Sequence, residues 1–348
     1  MSIIDFFDDD DDRAIKVHDT NGIRHGSFEI HGIKGHFPIV VITSTNLNHL
    51  KDAKKLNFDF DFKVNIIEII EFDLAKLLID SAYEKRQIKK ISKIITNNPN
   101  KLFLFTIKGA RGDFKLTEQV NEFLIDFQIK CGFALIRVFF TYARKAWETY
   151  QKLRKLIPKN ASFVACLDED LPEHIFKLLY LNCYAKKDPI ISFIGREPSK
   201  QNGKNVDNKT NFQFILKRKN DKILRLTSFI PKAFNDISSP FVYHLFGFDA
   251  YSLMTRQGNQ NISKVDIKAI HKFKYKLLFP NTKLVCALTG QNLYTSSQMF
   301  KTKIKKSSLP VSVHAIAELN KIFETLPKNY TREKLEKIVG KNFYRLSS

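Results

Sequence analysis

Short β-rich apolar runs alternate with helix-like segments along most of this chain, and that rhythm constrains its fold more than any other feature. Residues 37–44 (FPIVVITS), 64–72, 102–107, 133–140, 162–167, 190–194, 224–229 and 241–247 each read as a strand, being short, apolar and rich in β-branched or aromatic residues. Residues 74–96, 118–130, 143–156 and 172–184 carry helical patterns, and 212–217 fits either state. Thr117 is placed to cap one helix and Gly132 to end it, while Pro158 stops the next and Pro172 suits a first turn. Strand and helix in strict alternation predict an α/β fold, a parallel sheet covered by helices. Seven or eight such units favour a closed (β/α)8 TIM-like barrel over an open doubly wound sheet. Neither GxGxxG nor GxxxxGK[ST] occurs, so no nucleotide cofactor is expected. The expected organisation is an arm or hairpin over 1–36, a barrel over 37–325 and a basic helical extension that ends in a tail over 326–348.

Charge is distributed unevenly. The chain has 348 residues and a formal net charge of +21. From residue 201 onward there are 26 Lys+Arg and 9 Asp+Glu, a net of +17, which leaves +4 for the first 200. Such a field attracts polyanions and supports salt-sensitive contact with a phosphate backbone. A solvated lysine surface is the plain alternative. No apolar run reaches the roughly 20 residues of a membrane span, and no basic, apolar leader precedes the acidic run Asp8 to Asp12, so a cytoplasmic protein is expected. Cys131, Cys166, Cys183 and Cys286 form no CxxC pair and read as buried, reduced thiols; no metal site is expected of them.

Within the basic half, residues 263–278 read as a helix with Lys264, Lys268, Lys272 and Lys276 on one face. Residues 301–306 (KTKIKK) add Lys303 and its neighbours. Just before them stands FDAYSLMTR, residues 248–256, directly after the run 241–247. If that run is a late barrel strand, Asp249 lies at the strand end where barrels build active sites. Helix capping after a strand is the plainer reading of the same aspartate.

FDAYSLMTR resembles the FDxxxPTR segment of the tRNA-guanine transglycosylases and their DNA-directed relatives, which insert deazaguanines. The resemblance implies a barrel that exchanges a guanine in tRNA or DNA. It assigns the nucleophile to Asp249, and Arg256 matches the motif's arginine. Met254 replaces the family's proline. ISFIGRE (191–197) lies where the family places base-facing glycines, which points to Gly195, and SVHAIAEL (312–319) is similar to a C-terminal helix, with His314 matching. The resemblance covers roughly residues 37–325, and its specific part is the Asp249 region. The family's loop with a general acid falls near LFTIKGARGDF (104–114), where Thr106 stands at the acid's place and Asp113 is the nearest substitute. Only Cys286 lies in the region of the family's structural zinc site, so no zinc is expected.

Asp168, in LDED after the strand at 162–167, is a second candidate at the same barrel end, for the base edge or as an acid; an N-cap ahead of Pro172 is the alternative. Ile3, Phe6 and Phe7 have the spacing of a sliding-clamp-binding peptide. His18, His25, His31 and His36 sit in a glycine-bearing stretch of hairpin character and read as strand-surface residues. Two functions from different classes follow, and the charge also permits a third, an unrelated barrel acting on a small anionic metabolite. One is a base-exchange glycosyltransferase acting on nucleic acid. The other is the same barrel with catalysis lost, serving as a nucleic-acid-binding module. Monomer and homodimer are both left open.

Overall fold

The structure, a computed structural model, describes residues 13–44, 65–69, 73–107, 116–141, 145–169, 171–194, 209–228, 239–252 and 311–339. It opens with three antiparallel strands, β1 (Ile15–Thr20), β2 (Ile23–Ile30) and β3 (Ile33–Phe37), paired in that order. Both turns are two-residue hairpins with left-handed backbone: Asn21 (φ 56°) with Gly22 (φ 77°), and His31 (φ 49°) with Gly32 (φ 73°). Such turns match the twist of the flanking strands, and glycine takes the left-handed conformation without a Cβ clash.

Eight parallel strands follow: β4 (Ile39–Thr43), β5 (Ile66–Ile69), β6 (Leu102–Phe105), β7 (Leu135–Phe140), β8 (Ser162–Asp168), β9 (Ile190–Ile194), β10 (Leu224–Ser228) and β11 (Ala250–Ser252). They pair in the order β6-β5-β4-β11-β10-β9-β8-β7, so chain order runs round the sheet and β11 returns to β4. β6 and β7 pack against each other and bring the ring nearly to closure. The result is an α/β fold around a nearly closed, barrel-like parallel sheet.

Helices α1 (Leu74–Ile79), α2 (Ser81–Thr96), α3 (Glu118–Cys131), α4 (Ala146–Arg154), α5 (Glu173–Ala185), α6 (Lys209–Lys217) and α7 (Ser239–Leu245) connect successive strands, and α8 (Val311–Asn329) and α9 (Arg332–Val339) follow β11. Thr117 caps α3 through Val120 N at 3.3 Å, and Gly132 ends it with φ 85°. The single helix expected over 74–96 is two. Asp80 has extended backbone, ends α1, and accepts from Tyr83 N at 2.8 Å to start α2. Residues 212–217 are helical.

The strand expected at 241–247 is a correction: these residues form most of α7 and the following turn, and the eighth strand is Ala250–Ser252. Every residue from 240 to 252 is buried, so no polar face marks a helical period, and an apolar run without period does not distinguish helix from strand.

Alternate residues of a barrel strand face inward. The inward set Ile39, Val41, Ile66, Leu102, Leu104, Leu135, Val164, Ile190, Leu224, Leu226 and Ala250 forms one apolar cluster with Ile15, Phe28, Ile30 and Phe37 of the antiparallel sheet. That sheet therefore plugs the amino-terminal end of the barrel. Outward residues pack against the helices in a second cluster, which takes in Leu326, Leu335 and Val339 near the chain's end. Among the described residues no helix is long and apolar enough to cross a membrane.

Candidate functional site

Above the apolar filling, toward the carboxyl ends of the strands, the inward positions turn polar. Thr43 (β4), Glu68 (β5), Arg137 (β7), Cys166 (β8), Ser192 (β9), Ser228 (β10) and Ser252 (β11) face inward, and Thr106 follows the end of β6. All eight are buried. One polar residue from each strand unit thus makes a storey across the lumen.

An ion pair organises that storey. Arg137 Nη1 donates to Glu68 Oε1 at 2.9 Å and to Thr106 Oγ1 at 2.6 Å, and Nη2 reaches across to Ser228 Oγ at 3.2 Å. Thr106 Oγ1 and Ser228 Oγ both donate to Glu68 Oε1, at 3.1 and 2.5 Å. Glu68 Oε1 is therefore saturated, whereas Glu68 Oε2, Arg137 Nε and Ser252 Oγ meet no hydrogen-bonding partner among the described residues. Leaving such groups unsatisfied inside a protein costs about 1–3 kcal/mol each, more when charged, and that cost is tolerated where a water or ligand supplies the partner. Burial pushes the Cys166 thiol up to about 11, so it stays protonated at neutral pH and is no nucleophile there. Asp168 ends β8 on the same side of the barrel, buried, and Glu169 beside it accepts from Tyr243 Oη at 3.2 Å.

Asp249 lies at the other end. It immediately precedes β11, and its backbone oxygen accepts from Ile39 N, the first residue of β4. Its carboxylate is fully buried and fully engaged. Arg24 Nε donates to Oδ1 at 2.7 Å, Arg24 Nη2 to Oδ2 at 3.0 Å, and Arg225 N to Oδ2 at 2.9 Å. Arg24 also donates to the carbonyls of Lys219, Asp221 and Ile223. Burial works against the Arg24 charge, and the Asp249 carboxylate, with Tyr180 and Asp221, outweighs it and holds the guanidinium above its ordinary range. This is a bidentate clamp tying the antiparallel sheet to the amino ends of β10 and β11. The reading of 241–247 as a strand had put Asp249 at the mouth; with that run helical, it stands on the plugged end.

The remaining candidates divide by position. Asp168 and Thr106 share the mouth with Glu68 and Arg137. Asp113, Gly195, Arg256, Lys264, Lys268, Lys272, Lys276, Lys303, Cys286, and the Ile3, Phe6 and Phe7 of the terminal motif lie outside the described residues. His314 lies on α8. His18 and His25 are neighbours on paired strands, His25 sharing a 2.8 Å hydrogen bond with Thr20 Oγ1. A cavity of about 520 Å3 opens at this plugged end between the antiparallel sheet and α8, lined by His25, His36, Phe37, Asn320, Phe323 and Lys328 among others. Among the described residues no cluster of three or more His, Cys, Asp or Glu is arranged to hold a metal ion.

Sequence reasoning passed over Glu68, Arg137 and Arg24. Glu68 and Arg137 are single charges inside otherwise apolar strand runs, IIEI and LIRVFF, and a charge there is the signal that marks them. No protein-family model matches this chain, and no curated protein does.

Proposed function

We propose that this chain is a nucleic-acid-binding protein built on a TIM-like barrel of the transglycosylase type, which holds the polymer at the carboxyl-end mouth of the barrel. One observation carries the reading. Residues 253–310, which follow in the sequence directly after Ser252, the last residue of β11, contain eleven Lys or Arg and one Asp. The most basic stretch of the chain is thereby joined in sequence to β11, the strand that ends on Ser252 of the polar storey. Arg256, Lys264, Lys268, Lys272, Lys276 and Lys303 are the residues assigned to phosphates. The commitment of both Asp249 oxygens to Arg24 and Arg225 favours binding over base exchange, because a nucleophile needs a free lone pair facing its substrate.

Binding to fluorescently labelled tRNA and to duplex and single-stranded DNA, followed over a salt series, tests the proposal. The expected affinity falls steeply with salt, with a log–log slope of about −0.7 to −0.9 for each phosphate contacted. Undetectable or salt-independent binding to all three refutes it.

Base exchange at the same mouth is a second reading, and one observation favours it. The hydroxyl of Thr106, which stands where the resemblance calls for an acid, donates to the carboxylate of Glu68 on the neighbouring strand. A carboxylate from β5 therefore lies beside that hydroxyl, and the reading requires a nucleophile at the mouth other than Asp249, which stands at the plugged end. Incubation with radiolabelled guanine and tRNA or DNA decides this reading. Label incorporated by the wild type and lost in Glu68→Gln supports it, and absence of label in the wild type rejects it.

A further inference from the structure

We infer that α2 carries a second phosphate-contacting track, running down the outside of the barrel from the mouth; the inference rests on the nucleic-acid reading above. α2 contains Lys85, Arg86, Lys89, Lys90 and Lys93 against a single acid, Glu84. All five cations are exposed, while Ile91 is buried and Ile88, Ile94 and Ile95 pack against the core, so the helix is anchored by its opposite face. Lys85, Lys89 and Lys93 recur every fourth residue and lie in a row, with steps of about 6 Å.

The carboxylates nearby are used elsewhere. Glu84 and Asp126 both face Lys130, at 3.8 and 2.6 Å, and Glu118 and Glu122 both hold Lys152 of α4. α3, which packs beside α2, has three acids and one lysine, yet none of them pairs with Lys85, Lys89 or Lys93. These three make no ion pair among the described residues. Those four carboxylates are engaged by Lys130 and Lys152 and by none of the three lysines of α2, which leaves Lys85, Lys89 and Lys93 as an unpaired cationic row, and a chain of phosphates is its electrostatic complement. Topology fixes where the stripe begins. α2 lies on the return from the carboxyl end of β5 to the amino end of β6, so its first turn is nearer the mouth than its last.

The test uses the full chain and a labelled oligonucleotide long enough to leave the mouth. Lys85→Gln/Lys89→Gln/Lys93→Gln is compared with the wild type and with Lys155→Gln/Lys159→Gln/Lys186→Gln, which removes the same charge from exposed lysines at the amino end of the barrel. The α2 variant is expected to flatten the salt slope by about 2 to 3 and to weaken binding at least about tenfold at 0.1 M salt, with the control nearer the wild type. Equal effects of both variants, or none of the α2 variant, overturn the inference while wild-type binding keeps the nucleic-acid reading. A wild type that fails to bind removes both. Vesicles containing phosphatidylserine form a parallel arm, and α2-dependent binding to them but not to the oligonucleotide also overturns it. Substitutions at exposed positions leave the buried face of α2 intact, and an unchanged thermal midpoint verifies this.

Discussion

Arg24 and Asp249 are 225 positions apart, and each is almost wholly removed from water. Neither charge is tolerable alone there. Truncating one partner leaves the other buried and unpaired, which typically costs about 3–5 kcal/mol. Arg24→Ala should therefore lower the free energy of unfolding by about that amount in urea titration, and Asp249→Ala by a similar amount. Arg24→Met with Asp249→Leu should cost less than the sum of the two single changes, because no stranded charge remains. A cost below about 1 kcal/mol for Arg24→Ala would show that the clamp is not formed in solution. Loss of any activity in Asp249→Ala must be read against this loss of stability. Asp249 was legible in the sequence as a notable residue in a notable motif. Its partner was not, since a guanidinium two hundred residues upstream leaves no mark at residue 249.

At the scale of an element, α7 gives a pH prediction. His244 is 3% exposed, with Nδ1 at 3.1 Å from Phe248 O and 2.9 Å from Tyr251 Oη, and Nε2 without a partner among the described residues. Burial among Tyr251 and Phe323 pulls its pKa down to about 4, against an ordinary 6.5. The unfolded chain takes up its proton as the pH falls through 6.5, whereas the folded chain does so only near 4. The stability tied to neutral His244 is thus fully present above 6.5, declines between 6.5 and 4, and is gone below, a loss of about 3 kcal/mol. Urea titrations at pH 7 and 4.5 should differ accordingly, and His244→Gln should reduce the difference. An unchanged pH dependence in that variant would contradict the assignment. The same helix explains why 241–247 was misread as a strand: its surroundings bury every side, so it shows neither period.

For the whole molecule, the first and last described segments both pack on the barrel. The antiparallel sheet that begins at Ile15 plugs the amino end. At the other terminus Leu326, Tyr330, Leu335 and Val339 are buried, and Arg332 N donates to Asn21 O in the first hairpin turn at 2.9 Å. A chain ending at Thr325 loses all of these contacts. Each fully buried apolar side chain contributes roughly 1.5–3 kcal/mol, so their joint removal approaches the whole stability of a typical domain. Truncation after Thr325 is expected to abolish cooperative melting and soluble accumulation. A truncated chain that melts at the full-length midpoint would show residues 326–348 to be a dispensable tail.

Strand–helix alternation, the caps at Thr117 and Gly132 and the strand count near eight were all readable from the chain, because local propensity and turn chemistry act over a few residues. The charge asymmetry was readable too, being a property of composition. What folding alone decided was which charges meet. Glu68 from β5, Arg137 from β7 and Ser228 from β10 are brought into one lumen by sheet closure, and Asp249 is given to Arg24 at the opposite end. A one-residue property such as charge is written in the sequence. A pairwise one, such as which buried charge neutralises which, depends on the path of the backbone through space, and the sheet's order and register set that path.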